Sequence, residues 1–529
     1  MSFPGYLLPC GREDLHGSVG ARVCSLCHGS EHTRYPDGWD PLRDGGPLRG
    51  AIAMALSATL AAALSGAPAT RVRHVSPTGD DTGPGTRERP WRTIEHAAQA
   101  AQPGDTVLLH AGTYRPIAPI RIRTGGAPGA WTSFAAAPGE EPVVDASAIR
   151  PANLREASDR GVIEIVGPSY VRLIGLDVRD SYQFGILVRG PSHHIDVVDC
   201  KVSRTFAPGI GAWNAEHLRI VGCEITGANS QRMRLYGDAR RECPHEAISI
   251  AGVRHFEAAW NHVHHCEKEG IDAKEVSAHG VVHHNYVHDM PRQGLYADAW
   301  FGLLEDVEFT SNVVHDCEWG AVLSVEGRSS EMRNVRVHHN LLYRNRASGV
   351  YFGTWGADGP RSKIEITNNS LYRNGRTGHW AGATGNIDVR SRSVRDLLIA
   401  RNVCADGGAF EIATFVDLTK DPEAMRSLGI RIEDNVIGSR KDLTDAPSPY
   451  GRVYAAAGER TVVVAEPFVD PAHGILRLRP GAAAVRTKAR GGVGALPGRA
   501  TRLPAVPSPL KDFPPCRPRP AGFPEAIGR

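Results

Sequence analysis

A short apolar pattern recurs along most of the chain and restricts its fold more than any other feature. Its starts read GILVRG at Gly185, GIGAWN at Gly209, AISIAG at Ala247, GIDAKE at Gly270, GLYADA at Gly294, GAVLSV at Gly320, GVYFGT at Gly349 and NIDVRS at Asn386. Behind the starts lie further apolar pairs such as Ile195/Val197, Val335/Val337, Ile364/Ile366 and Ile430/Ile432. A polar turn residue follows, giving the column Cys200, Cys223, Asn261, Asn285, Asn312, Asn340, Asn369, Asn402 and Asn435, and two positions on comes another apolar residue. Alternation within each piece specifies short strands, and a period of about 24 to 33 residues specifies a solenoid. Three strands per coil make this an all-β chain, a right-handed parallel β-helix of three sheets. The asparagines are expected to take the left-handed corner themselves and to bond the neighbouring rung through their amides.

The flanks differ in composition. Residues 1–48 are polar and contain cysteine; residues 49–69 hold Arg49, the apolar AIAMALSATLAAALSG and Ala67-Pro68-Ala69, the pattern of a signal peptide. The mature protein is therefore expected to begin near Thr70, without residues 1–48. Cys24-Ser-Leu-Cys27-His28 has haem-attachment spacing but precedes the signal, and is read as a chance match. Residues 70–160 form the cap and first coils, with Ile94, Ala97, Ala98 and Ala101 at helical spacing and a strand over 106–110. The β-helix then occupies 161–497, and the Pro-rich residues 498–529 are read as a disordered tail.

Basic and acidic residues nearly balance, 61 against 58, so the net charge of +3 gives no reason to expect nucleic acid or a membrane surface as a partner. Cys200 and Cys223 are read as reduced core thiols, and Cys266, Met290 and Cys317 as soft core filling. Cys243, in a loop, has no identifiable partner. A histidine column, His264, His288 and His315, is read as repeat decoration away from the groove.

Two adjacent repeats, residues 270–300, concentrate the chemistry. Alternation turns Asp272 and Lys274 outward, then Tyr296 and Asp298, and parallel stacking sets Asp298 about one strand spacing, ~4.8 Å, from Lys274. The same outward face offers Trp213, Trp300, Glu326, Tyr351, Trp355, Asp388 and Arg390. Aromatic faces beside ionisable groups suit a carbohydrate. An insertion over 227–246, carrying Arg232, Arg234, Arg240 and Arg241, and long loops at 300–306, 327–334 and 355–363 would wall the groove.

The segment from His74 and the closing segment over 468–497 resemble those of secreted bacterial right-handed parallel β-helix proteins of the pectate-lyase-like superfamily. In such proteins a short helix plugs the end of the coil, and the fold carries lyases, glycosidases, epimerases and non-enzymatic spikes. Two reactions fit. In an elimination on a uronate, Lys274 would be the base, as a lysine is in several β-helix lyases, with Arg390 or an insertion arginine steadying the substrate carboxylate. Lys274 then needs a lowered pKa, which Asp272 and Asp298 oppose unless they hold a calcium ion. In a hydrolysis, Asp272 and Asp298 are diagonal neighbours roughly 7–8 Å apart, with Glu326 in reserve and Lys274 orienting them. Substrate contacts are expected from Trp213, Tyr296, Trp300, Tyr351, Trp355, Arg240 and Arg241. A third reading is a carbohydrate-binding or surface protein without catalysis. The expected partner is a polysaccharide, uronate-containing in the first case, met by a monomer outside the cell or in the periplasm.

Overall fold

The computed structural model describes residues 71–237, 240, 242–375, 382–439, 452–480 and 493–495. The leading segment, the signal sequence, the tail and most of residues 481–497 lie outside the described residues.

Among the described residues, three long sheets of 13, 12 and 13 strands wind together, each coil giving one strand to each sheet. The 12-stranded first sheet contains Ile248–Ala251, Ile271–Lys274 and Gln293–Ala299; the second contains Arg254–Ala259, Ala278–His283 and Leu303–Thr310; the third contains His262–His264, Tyr286–His288 and Val313–His315. Pairing within the three is parallel apart from Tyr454–Ala455 against Phe410–Thr414. Part of the sequence-predicted wall is strand, because Leu303–Thr310 and Glu331–His338 begin inside the expected loops. Among the described residues no helix is long and apolar enough to cross a membrane.

The core follows from the register. Ile186, Ile210, Ile248, Ile271 and Leu295 are successive partners on the first sheet, all buried. Burying each contributes about 1.5–3 kcal/mol, so adjacent coils stabilise one another. Glycine opens many repeats because rungs close up at that corner. A Cβ on Gly270 would meet the Gly294 carbonyl oxygen, and one on Gly294 the Val314 side chain. The entry helix, Ile94–Ala100, starts at Thr93, whose side chain accepts from the His96 amide. Its buried Ile94, Ala97 and Ala98 pack on Ile120–Ile122 and cover the first coils.

The asparagine column is an unbroken ladder. Asn285 Oδ1 accepts from the Asn261 amide at 3.0 Å and from Asn261 Nδ2 at 3.0 Å, and the pattern repeats through Asn312, Asn340, Asn369 and Asn402 to Asn435. Each Nδ2 also donates to a carbonyl of the preceding coil, as Asn312 does to Val282 at 2.9 Å. The expectation that asparagine itself takes the left-handed corner is corrected. Positive φ belongs to the residue before it, at Trp260, His284, Ser311, His339, Asn368, Arg401 and Asp434. Asparagine is chosen for its two-sided amide, since an inward corner leaves backbone groups that only such a side chain can pair.

Cys200, Cys223, Cys266 and Cys317 are buried thiols, as expected of the core. Cys243 is also free and buried, in a cluster with Phe184 and Phe206.

Candidate active site

On the first sheet, Lys274 pairs in register with Asp298, and Asp272 with Tyr296. Lys274 Nζ lies 3.1 Å from Glu246 Oε1, at the end of the 227–246 insertion, and 4.0 Å from Glu275 Oε1. Glu246 Oε2 accepts from Ser249 Oγ at 2.8 Å, and Ser249 is the register partner of Asp272. On the far side Asp298 Oδ2 accepts from Trp300 Nε1 at 2.8 Å. Glu326 Oε1 accepts from Tyr296 Oη and, at 3.2 Å, from Ser324 Oγ, the residue paired with Asp298. Register therefore gathers Glu246, Asp272, Lys274, Asp298 and Glu326 into one patch.

The patch is unbalanced. Asp272 is 0% exposed, and neither of its carboxylate oxygens has a hydrogen-bond partner; Asp298 Oδ1 is likewise buried and unpartnered. Burial, then the charges of Glu246 and Asp298, push the Asp272 carboxyl well above the usual range. Burial and Glu326 do the same to Asp298, and burial raises Glu326. For Glu246 burial is outweighed by Lys274, Lys268 and His245, which hold it low. Burial of Lys274 favours the neutral amine, yet Glu246, Asp272 and Asp298 together overcome this and raise its pKa. In this arrangement Lys274 therefore lacks the lowered pKa that elimination calls for.

A hard cation needs oxygen ligands, and the unpartnered oxygens of Asp272 and Asp298 are the ones that suit it. Their chemistry fits calcium. The tight groups of three ligand residues among the described residues lie elsewhere, at His262/His264/His288, His265/His288/Asp289 and His279/Glu305/Asp306.

Several predicted members stand apart. Arg390 is three rungs beyond Asp298, buried, and held 2.9 Å from Asp388 by its Nη2. Tyr351 is fully buried beneath Trp319 and Trp355 and offers no stacking face; Tyr296 too is 5% exposed. Partly buried Trp355 covers that aromatic cluster. Trp213, two rungs before Lys274, packs against Phe184 and under Arg189. Arg234 folds back on Gln231 and Phe206 and does not overhang the groove, whereas Arg240 is exposed; Arg241 lies outside the described residues.

Sequence reasoning missed Glu246 and Glu269, the latter 2.8 Å from Arg292. The signal was present: Glu246, Glu269 and Gln293 each stand one residue before a repeat start, a column of polar residues at the corner. A cavity of about 1140 Å³ lies near helix Pro422–Ser427, lined by Glu411, Met425 and Ile430 among others, and includes none of these site residues.

A family model described as "Pel9A-like, right handed beta helix region" matches residues 73–224, and one described as "Right handed beta helix region" matches residues 161–334. Uncharacterized protein YwoF of Bacillus subtilis (strain 168) is 25% identical over 313 residues, covering 53% of this chain and 64% of that protein. Pectate lyase PEL9 of Emericella nidulans is 30% identical over 126 residues, covering 23% of this chain and 30% of the enzyme. The chain thus spans less than two thirds of each of these relatives. The crystal structure of pectate lyase Pel9A superposes with a TM-score of 0.43 at 16% identity, over 64% of this chain and 77% of that one.

Proposed function

From a right-handed parallel β-helix homologous to pectate-lyase-like proteins over part of its length, we propose a secreted or periplasmic enzyme that cleaves a uronate-containing polysaccharide by β-elimination, with Lys274 as base. The observation that carries this reading is the Lys274 ammonium set among carboxylates, of which Asp272 and Asp298 keep unpartnered buried oxygens. Lys274 Nζ takes the proton beside the uronate carboxyl. The electrons of that C–H bond form a carbon–carbon double bond as the neighbouring C–O bond breaks, and the leaving sugar oxygen takes up a proton. Glu246 and Ser249 fix the lysine from one side, and Trp300 holds Asp298 on the other. Calcium held by Asp272 and Asp298 would neutralise their charge and attract the substrate carboxylate.

The protonation balance sets a pH dependence. Lys274 must be neutral to act, and its neighbours raise its pKa above the ordinary lysine value. Without added cation, kcat/KM should therefore climb with pH through the neutral and alkaline range. With calcium the rise should begin at lower pH, and a chelator should reverse it.

A second reading is favoured by the raised carboxyl of Asp298 beside the low one of Glu246. Groups driven apart in this way can serve as acid and base of a glycosidase. The test is to incubate the protein with plant, algal and animal polysaccharides. Ultraviolet absorbance of an unsaturated uronate supports elimination; reducing ends without that absorbance overturn it in favour of hydrolysis.

A further inference from the structure

On the third sheet, three consecutive rungs bring three imidazoles together, with the Glu224 carboxylate beside one of them. His262 and His264 are two residues apart on one strand and so share a face. Glu224 of the preceding rung is the register partner of His262, and His288 of the following rung is the partner of His264. His262 Nε2 and His288 Nε2 are 2.9 Å apart, and His264 Nε2 is 3.5 Å from Glu224 Oε1. One ring nitrogen from each of the three imidazoles lies within 4.8 Å of the others.

This is more than repeat decoration. The stacked column His264, His288 and His315 needs only parallel rings, which stand 5.2 and 5.1 Å apart. His262 is outside that column, since its register partner on the next rung is Tyr286, yet it turns its Nε2 onto His288. His315 does not join, because its Nε2 meets the Tyr286 hydroxyl at 3.0 Å.

We propose that Glu224, His262, His264 and His288 bind a divalent transition metal such as zinc and clamp three coils together. Three imidazoles and a carboxylate are a complete tetrahedral donor set for zinc, with no position left for water, as structural sites require. At metal–ligand distances of about 2.0–2.2 Å, tetrahedral ligand atoms stand roughly 3.3–3.5 Å apart. The 2.9 Å His262–His288 separation therefore needs to open by only a few tenths of an ångström. His288 Nδ1 faces Asp289 Oδ2 at 2.6 Å, so the carboxylate keeps the proton on Nδ1 and leaves the Nε2 lone pair for the metal. Calcium, which takes oxygen ligands, does not suit this donor set.

The test is titration of the chelator-treated full chain with Zn²⁺, read by calorimetry and by thermal melting. Saturable binding that raises the melting temperature is expected, and His262→Gln and His288→Gln should abolish it. Asp289→Asn should weaken it roughly 10–100-fold, the usual effect of losing such an orienting partner. Cys24→Ser with Cys27→Ser controls for the thiols near the N-terminus and should leave this site intact. Should a histidine variant not fold, cobalt decides on the unaltered protein: the intense visible bands of four-coordinate Co²⁺ support the site, and the weak bands of six-coordinate Co²⁺ overturn it. Zn²⁺ binding that persists in both histidine variants, or no saturable binding, also overturns it.

Discussion

The asparagine ladder and the Lys274 patch are both rows of buried polar side chains on successive coils, and they differ in how fully they are paired. In the ladder, Asn312 gives and receives bonds from Asn285, Asn340 and Val282. In the patch, Asp272 is just as buried but has no hydrogen-bond partner on either oxygen. A buried polar group that is satisfied specifies the structure, while one left unsatisfied costs free energy and persists where something outside the chain completes it. The comparison separates positions satisfied within the chain from positions that are not.

The largest effect should come from Lys274→Ala. Loss of a general base commonly costs ~10²–10⁴-fold in rate, so release of unsaturated product should nearly vanish from protein that is still folded, although leaving Glu246 buried without its ammonium lowers the melting temperature. Activity lost only in proportion to the unfolded fraction would place Lys274 with the ladder. Under the hydrolase reading, Asp298→Asn and Glu246→Gln should each be severe and Lys274→Ala milder.

Asn312→Leu tests the other side. It strips partners from the Asn285 amide and from Asn340, and should destabilise by about 1–3 kcal/mol in denaturant unfolding. An unchanged midpoint would mean that the ladder is dispensable.

Asp272→Asn should act in the opposite direction on the metal-free protein. A carboxyl whose folded pKa is raised holds its proton more tightly when folded, so its contribution to stability is full below the unfolded value and declines as pH rises toward the folded one. The amide removes that decline. The variant should melt higher than the unaltered protein at neutral pH and equal it near pH ~4. A lower melting temperature across the range would show that Asp272 is satisfied after all.

Arg240→Ala should do least. Exposed at the surface, it should change stability by within about 0.5 kcal/mol, with any effect confined to KM for an acidic polysaccharide and fading with salt.

The chain by itself determined the solenoid, the entry helix, the inward columns and the pairing of Lys274 with Asp298, because strand alternation and repeat length are local and each coil copies the last. It also placed Asn312 and its kin at a corner. It did not reveal that the preceding residue bears the left-handed turn, since either residue of such a pair can do so until the inward direction is fixed. Tertiary structure alone decided which outward residues meet. Glu246 reaches Lys274 across a corner, Arg390 turns back on Asp388, Tyr351 sinks beneath Trp355, and His262 leaves its own column to face His288. Such choices depend on side-chain reach across rungs and on how each burial is compensated, and neither is a property of the residue's own segment.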